Sequence, residues 1–158
     1  MSTTYLIDDE RMGWQPLNVT ETTAKHTIGT RVRGRSATLG NAEFVYLLGV
    51  ASTAVGDAVC YNLSTFATTR TLAATVGQVA IAMSANVANQ YGWYAIQGVV
   101  TGTAAAAATA GAPCYTTATA GALDDAVVAG SLISGAFFAE TASGAGAVLV
   151  SLNYPELQ

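Results

Sequence analysis

The chain has 158 residues, of which 51% are hydrophobic and only 10% are charged, and its formal net charge is −4. This length suits one domain, and the negative charge argues against a general nucleic-acid-binding protein. No stretch reaches the roughly 18 apolar residues that a membrane helix needs. The first residues lack the basic and apolar regions of a secretory signal, so we expect cytoplasmic synthesis and no membrane partner.

The few charged residues are unevenly distributed. Nine of the sixteen lie between residues 8 and 35, and residues 44 to 158 carry only six. An ordinary soluble domain has about a quarter of its residues charged. We therefore expect neighbouring molecules to cover much of the outer surface of this protein.

Residues 1–40 differ in character from the rest of the chain. They are polar, rich in threonine and show no sustained hydrophobic period. This pattern predicts an extended N-terminal arm, with Trp14 and Leu17 as apolar anchors for a partner, and not a folded unit. We therefore expect removal of the arm to leave a soluble β-domain formed by residues 41–158.

Three arginines follow one another at every second position of the arm. Arg31, Arg33 and Arg35 share one face if this segment is extended. They either form a solvated edge that prevents aggregation or an acid-seeking face that docks on another subunit. The candidate docking residues are thus Trp14, Leu17, Arg31, Arg33 and Arg35.

From residue 43 onward the sequence is typical of β-structure. Residues 44–48 predict a strand that is buried on both faces. Residues 79–84 and 92–97 predict a hairpin, with Tyr94 and Ile96 in the core. Short strands separated by glycine-marked turns every eight to twelve residues or so indicate an all-β barrel or sandwich.

The β-region contains two similar halves, residues 49–97 and 98–151. Cys60-Tyr61 recurs as Cys114-Tyr115, and Gly77 recurs as Gly130 at nearly the same spacing. In this alignment residues 49–53 correspond to residues 98–102. Self-similarity at a fixed spacing predicts two pseudo-repeats, and halves of about fifty residues are expected to share one core.

Two short segments are ambiguous. Residues 103–110 are almost all alanine and threonine, which favours a loop or weak strand, with a single helical turn as the alternative. Residues 123–129 fit either a short helix or a strand.

The sequence offers little chemistry. His26 is the only histidine, no Gly-x-Ser-x-Gly elbow occurs, and no Cys or His cluster has metal spacing. Asp124 and Asp125 are adjacent, so they would point to opposite faces of a strand. The two cysteines, Cys60 and Cys114, are expected to be buried free thiols. We therefore expect no catalytic residue, no cofactor, no metal and no enzymatic activity.

Three segments carry a resemblance to a known family. GDAVCYN at 56–62, GQVAIAMSA at 77–85 and GWYAIQG at 92–98 resemble the turn-and-strand pattern of small head decoration, or cement, proteins of tailed bacteriophages. The resemblance covers residues 43–152. It implies a β-tulip-like domain on the outer surface of an assembled capsid in the virion. Its implied partners are the major capsid protein and further copies of the chain, as a homo-dimer or homo-trimer, and it supplies no catalytic residues.

A second class of function stays open at this point. A tail, fibre or adhesin β-module that binds glycans would expose Tyr91, Trp93 and Tyr94, because sugar rings stack on aromatic faces.

Overall fold

The computed structural model describes residues 5–7, 16–73 and 75–158. None of these residues is helical, which confirms the all-β prediction. In this described part the strands are β1 (Leu6–Ile7), β2 (Arg31–Ser36), β3 (Gly40–Leu48), β4 (Ala58–Tyr61), β5 (Thr68–Arg70), β6 (Gly77–Ala82), β7 (Tyr91–Ala104), β8 (Pro113–Thr116), β9 (Leu123–Asp124), β10 (Leu132–Phe138) and β11 (Gly146–Leu157). They form one continuous sheet that curls into two rings.

The first ring consists of β3, the first part of β7, β6, β4 and β5. Neighbouring strands in this order pair antiparallel. A parallel bridge between Leu48 and Ala67, just before β5, closes the ring. The interior is a separate buried cluster of Val45, Leu47, Val59, Tyr61, Ala80, Ala82, Tyr94 and Ile96. The predicted hairpin and the core positions of Tyr94 and Ile96 are thereby confirmed.

The second ring repeats the order of the first. The second part of β7 pairs with β11, β11 with β10, β10 with β8 and β8 with β9, all antiparallel. A parallel pairing between Ala104 and Leu123 closes it. Both halves therefore have the same strand order and the same parallel closure, which is the arrangement expected of a duplicated unit.

Hydrogen bonds fix the alignment of the two halves. In the first ring the backbone NH of Gly56 donates to the carbonyl of Ala82, and in the second that of Gly111 donates to Phe138. These bonds make Gly56 equivalent to Gly111, and Ala82 equivalent to Phe138. Cross-strand pairs agree, because Ala58 lies opposite Ile81, and their equivalents in the second ring also lie opposite each other.

The predicted equivalence of the two cysteines is therefore wrong by one residue. In the alignment that the hydrogen bonds require, Cys114 is equivalent to Val59, and Cys60 is equivalent to Tyr115. A shift of one residue in a strand moves a side chain to the other face of the sheet. Accordingly, Val59 belongs to the first-ring interior, whereas Cys60 belongs to the other buried cluster of the molecule.

Strand β7 joins the two rings. It is 14 residues long, and its pairing changes from β3 to β11 at Gln97, which pairs with residues of both strands. At Gly98 φ is +102°, and a Cβ would lie 2.7 Å from the carbonyl oxygen of Asn41. Residues 98–102 therefore lie inside a strand, whereas residues 49–53 form the turn after β3, so their predicted alignment is also wrong.

The described N-terminal residues do not form a detached arm, because they pack on their own domain. Strand β1 pairs with β2, and β2 pairs with β3 over six positions. Tyr5, Ile7, Leu17 and Val32 are all buried in the large core cluster. The expectation of an arm without core residues is thus wrong, because Val32 alternates with the arginines and faces the core.

The two ambiguous segments contain no helix. Residues 103 and 104 end β7, and residues 105–110 form a loop with one bridge at Ala108. Leu123 and Asp124 form the two-residue strand β9, and bends and turns follow up to residue 130. The alternatives of a loop and of a strand are therefore the correct ones.

Candidate interaction surface

The three arginines predicted to share a face do so. Arg31, Arg33 and Arg35, called here the arginine row, are exposed, whereas the residues between them are buried or face the core. Arg33 lies directly opposite Glu43 on β3. Arg31 forms a hydrogen bond with Tyr61, which lowers the pKa of Tyr61 and partly offsets the larger effect of burial, so the net shift is upward.

The arginine row holds most of the exposed positive charge in the described residues. The other two described cations lie in ion pairs, Lys25 with Glu21 at 2.6 Å and Arg70 with Asp57 at 2.9 Å. No lysine or arginine occurs after Arg70 in the sequence. In the described residues, positive charge therefore concentrates on β2, and all charged side chains of the second ring are acidic.

Of the two predicted apolar anchors, only Leu17 lies in the part of the chain that the structure describes, and it does not join the arginine row. Trp14 lies outside the described residues. Leu17 is buried in the core cluster, so it supports the fold and is not available to a partner. An exposed apolar residue that sequence reasoning missed is Leu6, which lies directly opposite Arg35.

Aromatic side chains cover the outer side of the first ring. The ring of Tyr46 lies 5.0 Å from that of Trp93 and 5.2 Å from that of His26. The Tyr46 hydroxyl donates to the Glu21 carboxylate at 2.6 Å. Burial and this hydrogen bond raise the pKa of Tyr46 to about 12.

Burial raises the pKa of Glu21, but hydrogen bonds from Lys25 and Tyr46 outweigh it, so its net pKa is lowered. Glu21 is therefore held as a carboxylate against the aromatic cluster.

The aromatic residues that a glycan would require are largely covered. Trp93 and Tyr94 are buried, and Tyr91 is partly buried and packs against the core. The Tyr94 hydroxyl accepts a hydrogen bond from the side-chain amide of Asn86 at 3.0 Å. Stacking of sugar rings on these aromatics, as the alternative function requires, would need the core to open.

An ion pair between the buried Asp57 and the partly exposed Arg70 links the two rings. Asp57 is 4% exposed, and its carboxylate accepts hydrogen bonds from Arg70 and from the backbone NH of Ala54, both at 2.9 Å. Arg70 also donates to the carbonyl of Ala120, in the second half of the chain, at 2.6 Å. No sequence pattern pointed to this pair, because the partners sit in different turns and strands.

Neither cysteine has the environment of a reactive thiol. Cys60 and Cys114 are free and buried, as predicted. Burial raises the pKa of Cys60 to about 11 and that of Cys114 to about 12. Within the described residues, no group of three His, Cys, Asp or Glu side chains could hold a metal ion.

The end of the first ring has a concave depression with a volume of about 610 Å³, called here the first-ring hollow. Its lining has no Asp, Glu, Lys, Arg or His and includes Asn62, Ser64, Thr69 and Gln78. Two strongly exposed aliphatic side chains, Leu63 (61%) and Val76 (69%), also line it. Such a surface provides hydrogen-bonding groups and apolar contact, but no acid–base pair.

No helix in the described part of the chain is long and apolar enough to cross a membrane. Comparison with known proteins found no matching family model, no similar curated protein and no matching solved structure.

Proposed function

We propose that this chain is a non-enzymatic structural protein that binds the outer surface of an assembled phage capsid and stabilises it. The observation that carries the proposal is the first-ring hollow, a concave, uncharged and partly apolar surface of the first ring. Its volume of about 610 Å³ suits a protruding loop of a protein partner. Exposed apolar patches rimmed by polar groups commonly mark protein–protein contacts.

The composition of the surface supports the same proposal. Charged residues are a tenth of the chain, which is well below the share in ordinary soluble domains. A protein that is covered by a lattice and by its neighbours needs fewer charges to stay in solution. Many identical sites on a shell also add avidity to a modest single contact.

The resemblance of residues 43–152 to head decoration proteins supports the choice of a capsid as the partner. The buried aromatics of the first ring and the ion pair between Asp57 and Arg70 would give such a protein a stiff body. Preorganised surfaces lose less conformational entropy on binding.

Co-sedimentation tests this proposal. Empty shells, assembled from the major capsid protein proposed as the partner, are mixed with wild type, with Val76→Asp and with Val55→Asp. Val76 lines the hollow, whereas Val55 is similarly exposed, at 59%, and does not line it.

We expect wild type and Val55→Asp to pellet with the shells, and Val76→Asp to bind at least about tenfold more weakly, since a charge would be desolvated in the contact. Absence of wild-type binding would refute the proposed function. Equal binding of all three proteins would exclude the hollow as the contact.

A further inference from the structure

The duplication reveals a face that is covered in the first ring and open in the second. On the outer side of the first ring, Ala58, Ile81 and Trp93 are buried. Their equivalents in the second ring, by the alignment that the hydrogen bonds require, are Pro113, Phe137 and Leu149. Phe137 is 47% exposed, and the other two are partly exposed.

These residues form one continuous patch. Phe137 lies opposite Pro113, and Leu132 lies opposite Tyr115, so neighbouring strands present them on the same face. We call Pro113, Tyr115, Leu132, Phe137 and Leu149 the second-ring face. In the first ring the equivalent residues are buried, and the ring of His26, from the N-terminal part of the chain, lies 5.4 Å from that of Trp93.

The charge around the second-ring face is negative. Asp124 lies opposite Tyr115 in the ladder, so its side chain is on this face. No lysine or arginine occurs in the sequence after Arg70, so this half of the chain supplies no cation to balance it. A carboxylate beside an apolar face fits a partner that offers cations beside an apolar side chain.

The arginine row has this composition. Its three guanidinium groups share one face, and the exposed Leu6 lies opposite Arg35 on the same side of the sheet. Arginine is well suited to bidentate pairing with carboxylates. A symmetric contact between the second-ring faces of two copies would instead place Asp124 of each copy against the negatively charged face of the other.

We propose that the second-ring face binds the arginine row of a second copy of this chain, in a heterologous head-to-tail contact. Such a contact leaves one unused face at each end, so association continues into a closed ring or a line of copies. This self-association needs no capsid and does not rest on the proposed function.

Analytical ultracentrifugation of the full chain tests the contact. One variant, Phe137→Glu, changes the second-ring face, and a second, Arg31→Gln with Arg33→Gln, changes the arginine row. We expect wild type to associate with rising concentration and each variant alone to bind itself at least about tenfold more weakly. Val55→Glu and Lys25→Gln are the controls and should associate as wild type does.

A mixture of the two variants distinguishes a head-to-tail contact from a symmetric one. Each variant retains the face that the other has lost, so the mixture should form one-to-one pairs. A wild type that stays monomeric at all concentrations, or a mixture that does not pair, would overturn the proposal. Should Phe137→Glu fail to fold, Asp124→Asn replaces it, because an amide oxygen can still accept the backbone hydrogen bonds that Asp125 and Ala126 donate to this carboxylate.

Discussion

Truncation of Ile96 tests whether the first ring has a closed interior. Ile96 is 1% exposed and belongs to the interior cluster of that ring. Ile96→Ala removes three carbon atoms, which corresponds to about 2.4 kcal/mol of lost transfer free energy at about 0.8 kcal/mol per methylene. Strands surround the site, so the wall cannot collapse fully, and the cavity adds to the cost. We expect a total loss of about 3–4 kcal/mol in the free energy of unfolding.

Urea unfolding, followed by tryptophan fluorescence, measures this loss. Trp93 is buried on the outer side of the same ring, so its emission should report on unfolding of the ring. The control is Leu63→Ala, which truncates an exposed side chain and should change the free energy of unfolding by less than about 0.5 kcal/mol. A loss below about 1 kcal/mol for Ile96→Ala, with an unchanged m-value, would refute a closed and well-packed interior.

Three further predictions concern the rest of the domain. Arg70→Met should destabilise the protein by about 3 kcal/mol in the same urea assay, because it leaves the buried Asp57 carboxylate without its cation; wild-type stability would contradict this. Burial raises the pKa of Tyr94 to about 12, and burial with a hydrogen bond to a carboxylate does the same for Tyr46. The stability that these protonated phenols contribute is fully present below pH 10, the ordinary tyrosine pKa, and should be lost as pH rises to about 12. Thermal melts at pH values across this range should therefore show a falling melting temperature. A melting temperature that stays constant over the range would contradict this prediction. Deletion of residues 1–40 should give an unfolded or aggregated product by circular dichroism and gel filtration, since it removes β1 and β2 from the sheet. A soluble product with wild-type melting would contradict this and would support an N-terminal arm that does not contribute to the fold.

Local patterns in the sequence predicted the strands and several of their faces. The alternation through Tyr94 and Ile96 identified a buried face, and the spacing of Arg31, Arg33 and Arg35 identified an exposed one. Both rest on the two-residue period of an extended chain, which needs no knowledge of the partner strand.

Register and long-range closure could not be read in the same way. The repeated Cys-Tyr dipeptide suggested an alignment of the two halves that is out of step with the one that the hydrogen bonds require. A chain rich in small residues contains many short segments that resemble one another by chance. An alignment error of one residue then assigns every side chain of a strand to the wrong face of the sheet. The burial of Leu17 and the ion pair between Asp57 and Arg70 likewise depend on contacts between segments that are distant in the sequence.

Thermal disruption of shells tests the central proposal, stabilisation of a capsid from outside, most directly. Empty shells of the major capsid protein proposed as the partner are heated alone, with saturating wild-type protein and with an equal concentration of Val76→Asp, while light scattering records their disruption. A protein that binds the intact shell but not the disrupted shell raises the disruption temperature by mass action. We therefore predict a higher disruption temperature with wild type and little change with Val76→Asp. An unchanged disruption temperature at saturating occupancy by wild type would contradict the account.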